Sequence, residues 1–345
     1  MTDAYIVGAV RSAGGKKNGR LSKIHPIDLG AEVVDALVAK TGVAVSEIDD
    51  LIFGCVSQVG AQSSNIARNI CLSSVLGEVV PGTTVDRQCG SGQQAMHFAA
   101  QGVLSGTQDL VIAGGVESMS QVPIGANIID GYKAEHGLPY GKKMSERYPG
   151  VQFNQFAGAE MLAHKYELTQ NELNAFAFDS HVKAKRAVLE GRFKDEIVAI
   201  QIELEDGTTE SHEQDEGIRM DATLGAIAGL QPLQENGLLS AANASQICDG
   251  AAAVMIANGA TCKRLGLKPL ARIVAMSVIG SDPVIMLEGP IPATQKVLEK
   301  ADLSVDDIDL FEVNEAFGSV PLAWVKALGA DISKLNVNGG AQALG

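Results

Sequence analysis

The chain has 345 residues, enough for two domains or one large doubly built one at about 150 residues per domain, which excludes a small stapled scaffold. Hydrophobic residues at 46% and charged residues at 20% give an ordinary globular mix, so disorder is not expected, and no apolar run reaches the roughly 18 residues of a membrane span. The formal net charge of −14 argues against nucleic acid or anionic lipid as a partner, and the 38 glycines, about 11% against a usual ~7%, point to many tight turns.

Read in chain order, Met1 runs directly into an apolar strand over Tyr5 to Val10 with no signal-peptide zones, which leads to the expectation of a cytoplasmic protein. A helix follows over about Asp28 to Lys40, then a strand Leu51 to Val56, a helix near Asn65 to Ser74, and a strand Thr83 to Gln88. A helix Gly92 to Leu104 and a strand Leu110 to Gly114 complete the series, whose alternation reads as crossover units on a largely parallel sheet. From Ser118 to about Gln246 the pattern breaks into a Gly-, Pro- and charge-rich inserted region with helices near Ala157 to Tyr166 and Glu172 to Glu190. The run from Gly250 to Ala257 resumes as a buried strand.

Val45-Ser-Glu-Ile-Asp-Asp-Leu-Ile-Phe53 and Val305-Asp-Asp-Ile-Asp-Leu-Phe311 each follow a helix, and each reads as a short acidic turn entering a buried strand. The two form an internal repeat. Placing Ile48 on Ile308 sets Gly345 opposite Val85, so the second copy stops before the helix and strand that continue the first. The expectation from this alignment is a C-terminal half that is incomplete in the 345 residues.

The five cysteines, Cys55, Cys71, Cys89, Cys248 and Cys262, are odd in number and lack a C-x-x-C pair, so neither a disulfide framework nor a zinc site is expected. Cys55, Cys71 and Cys262 read as small buried hydrophobes. Cys89 stands where a strand passes through Gly90-Ser-Gly92 into a helix. The helix N-terminus favours its thiolate by about 0.3–1 kcal/mol, too little without a base, so Cys89 is the candidate nucleophile. His97 lies eight residues on, about 12 Å along the helix, too far to serve. His25, His136, His164, His181 and His212 read as solvated surface side chains. Gly90-Ser-Gly-Gln-Gln-Ala95 also fits a dinucleotide fingerprint, with Glu117 as its acid, but Cys89 abuts its first glycine and this is the third strand of the series, so the match is weak.

Asp86-Arg-Gln-Cys-Gly-Ser-Gly-Gln-Gln-Ala95, Ala113-Gly-Gly-Val-Glu-Ser-Met-Ser120, Asn243-Ala-Ser-Gln-Ile-Cys-Asp-Gly-Ala-Ala-Ala253, Gly289-Pro-Ile-Pro-Ala293, Glu312-Val-Asn-Glu-Ala-Phe317 and Asn336-Val-Asn-Gly-Gly-Ala341 together resemble the thiolase family, in family order and across essentially the whole chain. The resemblance implies an α/β thiolase fold: two similar βαβαβαββ halves in a layered αβαβα arrangement, with an inserted loop domain. On this chain the halves would be residues 1–118 plus 248–268 and 269–345, with 119–247 as the loop domain that sets the acyl and coenzyme A pockets. It also implies an acyltransferase that exchanges acyl groups between coenzyme A thioesters, with CoA as substrate, no tightly bound cofactor, no metal, and a homodimeric or homotetrameric assembly.

By the same resemblance Cys89 carries the acyl group, Asn314 holds a water in the oxyanion site, Ser245 contacts the pantetheine arm and Arg219 approaches the adenine nucleotide. The family's Gly-Gly-Ala-x-Ala-Leu-Gly is followed by a His-Pro histidine and later by a Cys-x-Gly motif. Here the sequence reads Gly339-Gly-Ala-Gln-Ala-Leu-Gly345, so both would lie beyond Gly345 in a longer polypeptide, which intact mass would test; a chain ending there is expected not to turn over. The Gln62 to Arg68 segment and Gly150-Val-Gln-Phe-Asn-Gln-Phe-Ala157 are similar to bacterial thiolases acting on steroid side chains, which implies cleavage of a bulky 3-ketoacyl-CoA to acetyl-CoA and a shortened acyl-CoA. The alternatives are biosynthetic formation of acetoacetyl-CoA from two acetyl-CoA, a decarboxylating ketosynthase, against which Asn-Glu-Ala-Phe317 argues, and a truncated non-catalytic subunit that binds CoA or assists assembly.

Overall fold

A computed structural model describes residues 3–204 and 206–345. The chain divides into two compact units: Met1–Leu138 with Lys194–Glu216 and Ile247–Ile273, and Pro139–Phe193 with Gly217–Gln246 and Val274–Gly345.

Among the described residues the first unit is built on ten strands: β1 (Ala4–Ser12), β2 (Gly15–Lys16), β3 (Asp50–Gly54), β4 (Gly82–Val85), β5 (Leu110–Ser118), β6 (Ile197–Val198), β7 (Ile200–Glu203), β8 (Thr209–His212), β9 (Cys248–Asn258) and β10 (Ala271–Arg272). The main sheet runs β10-β1-β9-β5-β3-β4, with β2 on β9 and β6 on β1, while β7 and β8 form a separate hairpin. β3 pairs in parallel with both β4 and β5, as crossover helices require. The expectation of a largely parallel sheet is corrected at its centre, where β9 runs antiparallel to both β1 and β5. β9 follows β5 only after the long inserted region and enters between two strands that an unbroken crossover series would have paired.

The helices of this unit follow from their periodicity and their ends. Pro26–Thr41 starts at His25, whose side chain accepts from the Ile27 N–H, and stops at Gly42 with φ 66°. It buries Leu29, Val33 and Leu37 at a spacing of four, one face of the helix, against the sheet. Ile66–Ser73 and Ser91–Ser105 agree with the expected helices within two residues. The first core gathers Leu29, Leu37, Leu51, Phe53, Ile70 and Leu110, and also Cys55, Cys71 and Cys262, which are buried as their small apolar character predicts.

One glycine lets the helix Ser91–Ser105 come down onto the sheet, and a second lets β5 lie close against β3 beside it. A Cβ on Gly54 would lie 2.5 Å from the Gly92 nitrogen, a distance that a backbone atom cannot yield, and one on Gly115 would lie 3.0 Å from the Gly54 oxygen. Bare backbone at Gly54 is thus what allows the N-terminal turn after Cys89 to rest directly on the end of β3.

The second unit packs helices Gln155–Lys165, Gln170–Leu189, Pro290–Ala301 and Ser319–Leu328 around a core that includes Leu162, Leu173, Phe176, Phe317, Trp324 and Leu335. Gln170–Leu189 opens with a capping box in which Thr169 and Glu172 satisfy each other's backbone donors. Its buried face takes in Leu173, Phe176, Ala177, Ser180, His181 and Ala184. The repeat at Val305 to Phe311 holds for the helix and the acidic turn but not for the strand: Phe311 makes a single bridge to Leu335, and Leu310 is exposed. Among the described residues the stretch pairs with one neighbouring segment, through Phe311, whose N–H donates to the Lys334 carbonyl and whose carbonyl accepts from the Asn336 N–H.

Among the described residues no helix is long and apolar enough to cross a membrane.

Candidate active site

Cys89 sits in a turn between β4 and the helix Ser91–Ser105. The expected strand Thr83 to Gln88 ends instead at Val85, because the chain folds back at Asp86. Asp86 Oδ1 accepts from the Gln88 N–H at 2.8 Å, the Arg87 N–H donates to Ser91 Oγ at 2.8 Å, and the Ser91 hydroxyl donates to the Gln88 carbonyl at 2.6 Å. The turn holds Gln88 at φ 49°, a left-handed conformation that a non-glycine residue adopts only when its surroundings over-determine it. This places Cys89 exposed at the crest of the turn, just before the first helical residue. Among the described residues its N–H donates to no backbone carbonyl, which leaves that donor available to an oxygen brought to the sulfur.

The thiol of Cys89 lies above its ordinary pKa. Desolvation by the surrounding protein is the main cause and outweighs the pull of its own N–H, and the negative charge of Glu117 adds to it. Residue-level exposure and desolvation of the sulfur coexist because the crest is open while the sulfur itself is flanked by protein. The helix terminus therefore does not by itself supply a thiolate, and a base must take the proton during attack. Among the described residues no histidine nitrogen is hydrogen-bonded to Cys89. Glu117, weighed above as a ribose-binding acid, is spent on structure: it accepts from the Val56 N–H at 2.8 Å, the Ser57 N–H at 3.1 Å and Gln62 Nε2 at 2.8 Å.

Asn314, Ser245 and Arg219 belong to the second unit, whereas Cys89 belongs to the first. Ser245 is exposed beside the Asn314 segment, its N–H donating to the Ala316 carbonyl at 3.0 Å, and Ala244 bridges Phe317. Asn314 is exposed, and among the described residues its side-chain amide has no hydrogen-bond partner, so both its donor and its acceptor are available to a ligand or water. Glu312 is exposed as a residue, but partial desolvation of its carboxyl, together with the charge of Glu315, pushes it up to about 7.

Arg219 is exposed in a groove of about 480 Å³ that it lines with Lys185, Arg186, His181 and the apolar Phe178 and Met220. Its backbone is fixed from below, the Arg219 N–H donating to His181 Nδ1 at 3.2 Å. The reading of the histidines as solvated is corrected for two of them: His181 is 4% exposed and His212 is 2% exposed. His181 faces inward because it shares a helix stripe with Ala177 and Ala184, and His212 because its Nε2 is paired with the Ala13 carbonyl at 3.2 Å. The stripe is a periodic sign that could have marked His181 as inward-facing, whereas the pairing of His212 leaves none.

Burial, and then the charge of Arg219, lowers the pKa of His181 to about 4. At neutral pH the ring is neutral in the folded and unfolded chain alike. As pH falls below about 6.5 the unfolded chain takes up a proton that the folded one refuses until about 4, so stability declines across that window, by about 3 kcal/mol for this group alone. His181→Asn keeps an acceptor for the Arg219 N–H and removes the titration. Urea midpoints measured from pH 7 to pH 4 are expected to fall less steeply for the variant than for the parent, and parallel curves would refute the assignment.

Residues 4–260 match the model of the thiolase N-terminal domain and residues 267–345 that of the thiolase C-terminal domain. The chain is 46% identical over 347 residues to a steroid 3-ketoacyl-CoA thiolase, FadA6, of Mycobacterium tuberculosis, spanning 100% of this chain and 84% of that protein. It is 41% identical to a 3-ketoacyl-CoA thiolase of Acinetobacter baumannii, over 99% of this chain and 87% of that one. The crystal structure of the Bacillus anthracis acetyl-CoA acetyltransferase superposes with a TM-score of 0.90 at 38% identity, covering 100% of this chain and 88% of the other.

Proposed function

The chain belongs to the thiolase family of acyltransferases, and from that premise we propose that it cleaves a bulky 3-ketoacyl-CoA through an acyl group carried on Cys89. In the first half-reaction the Cys89 thiol gives its proton to a base and the sulfur adds to the C3 carbonyl carbon, forming a tetrahedral alkoxide. The alkoxide reforms its carbonyl as the C2–C3 bond breaks, which leaves the acyl group as a thioester on Sγ and acetyl-CoA as an enolate that takes a proton at C2. In the second half-reaction the sulfur of free CoA, having lost its proton, adds to the acyl carbonyl, and Sγ leaves as thiolate and is reprotonated.

Two oxygens gain charge on this route. The N–H of Cys89, which meets no backbone carbonyl among the described residues, is assigned to the one on the acyl carbon, and the amide of Asn314, unpartnered among the described residues, is assigned through a water to the one on the thioester enolate. The basic groove containing Arg219, Lys185 and Arg186 supports binding of the phosphate-bearing nucleotide of CoA, and Ser245 is assigned to the pantetheine arm. Residues 119–247 are taken as the region that sets the acyl pocket, in a symmetric homodimer or homotetramer. The observation that carries the reading is the placement of Cys89, a lone cysteine exposed on a left-handed turn at a helix start in a chain of this family.

The test is a rate comparison in the full-length protein over a short, a long and a steroid-derived 3-ketoacyl-CoA. The expected result is that the steroid-derived thioester has the highest kcat/KM, by about tenfold or more, since one or two methylenes in an apolar pocket are worth about 1–3 kcal/mol. A preference for acetoacetyl-CoA would instead favour the activity in the name of the Bacillus anthracis relative.

A further inference from the structure

Asn314 makes no side-chain hydrogen bond among the described residues, yet the residue before it is held through its backbone and the residue after it through its side chain. The amide of Asn336, itself 1% exposed and held at φ 45°, reads the Val313 backbone in both directions: Oδ1 accepts from the Val313 N–H and Nδ2 donates to the Val313 carbonyl, both at 2.9 Å. The same Nδ2 donates to Glu315 Oε1 at 2.8 Å.

Glu315 is 1% exposed and accepts from three separate segments: Asn336, the Ser180 hydroxyl at 2.8 Å, and the Gln342 N–H at 3.1 Å. Ser180 donates its hydroxyl proton to the carboxylate while its oxygen accepts from the Gly340 N–H at 3.1 Å. A Cβ on Gly340 would lie 2.3 Å from the Glu315 carboxyl carbon, so the glycine leaves room for the carboxylate. Each of these three groups is a donor to Glu315, the arrangement a carboxylate fits and a carboxamide does not.

We propose that Glu315 is a positioning residue that fixes the direction of the Asn314 amide through the backbone they share, with Asn336 as its partner. This rests on the oxyanion role assigned to Asn314. A buried carboxyl held by three donors, following a residue whose backbone Asn336 holds at both ends, restricts the peptide between them and with it the exposed Asn314 side chain. Oxyanion stabilisation depends on that direction more steeply than substrate binding does.

The experiment is a double-mutant cycle in the full-length protein with Glu315→Gln, Asn314→Ala and the pair. The carboxamide introduced by Glu315→Gln would turn an amino group toward the donors of Ser180 or Gln342. The expected result is a fall in kcat of about ten- to a hundredfold with the KM for CoA within about twofold, and a double variant no slower than Asn314→Ala alone. Independent, multiplicative losses, or full activity in Glu315→Gln, overturn the positioning role while leaving the oxyanion reading intact. An Asn314→Ala protein with undiminished kcat overturns the oxyanion reading and the positioning role with it. Should Glu315→Gln not fold, Ser180→Ala, which removes one of the three donors, is carried through the same cycle with the same criteria.

Discussion

Replacing Cys89 by alanine in the full-length protein lowers kcat/KM for 3-ketoacyl-CoA thiolysis by about 10⁴-fold or more, since removing a covalent nucleophile abolishes the route and not merely one contact. Cys89→Ser is expected to fare little better, because a hydroxyl on the same crest has a far higher pKa and the site already holds the thiol above its ordinary value. Folding is expected to be unaffected: Cys89 is exposed as a residue, and the turn is held by Asp86, Arg87, Gln88 and Ser91. The decisive measurement is peptide mapping after brief exposure to 3-ketoacyl-CoA without free CoA, in which the peptide bearing Cys89 gains the mass of the shortened acyl group. A serine variant within tenfold of the parent, or an unmodified Cys89 peptide, removes the covalent route.

Asn314→Ala carries the second largest effect. One oxyanion donor is typically worth about 3 kcal/mol, so kcat is expected to fall by about 10²–10³-fold. The structure adds a condition that separates this from a folding defect. The Asn314 side chain is exposed and unpartnered among the described residues, so its removal is expected to change stability by no more than about 0.5 kcal/mol, and the thermal midpoint should stay within about 1–2 °C. A large drop in melting temperature with unchanged kcat would assign Asn314 to the fold instead. Asn314→Asp is expected to lose as much activity as the alanine variant, because a carboxylate presents only acceptors to an oxygen gaining negative charge.

Much of the first unit was legible from local pattern. The apolar runs and helical stripes from Tyr5 to Gly114 correspond to β1, β3, β4 and β5 and to the three helices between them, with boundaries off by a few residues. The setting of the candidate nucleophile was legible for the same reason: a strand, a short glycine-containing turn and a helix are encoded in consecutive residues around Cys89. The boundary of β4 was misjudged because Thr83 to Gln88 looks extended by composition, and only the hydrogen bonds of Asp86 and Ser91 turn the chain at Val85.

The strand assigned to the second repeat shows where such reasoning stops. Ile308 to Phe311 has the apolar content of the first copy, but a strand also needs backbone partners on its edges, and among the described residues it pairs through one bridge at Phe311. The histidines show the same limit: His181 and His212 are single polar residues whose burial depends on what packs against them.

From the sequence alone came the family, the strand and helix series from Tyr5 to Gly114, and the setting of the candidate nucleophile Cys89, because each is written in contiguous residues with a period or a motif. Tertiary structure decided what distant residues do together: β9 inserted antiparallel between β1 and β5, the thiol of Cys89 raised by desolvation and Glu117, and Glu315 bound by Ser180, Asn336 and Gln342. Those outcomes rest on strand pairing, side-chain hydrogen bonds and exclusion of water between segments distant in the chain, Ala4 pairing with Asn258 and Ser180 with Gly340, which leave no repeating trace along the chain for a local reading to find.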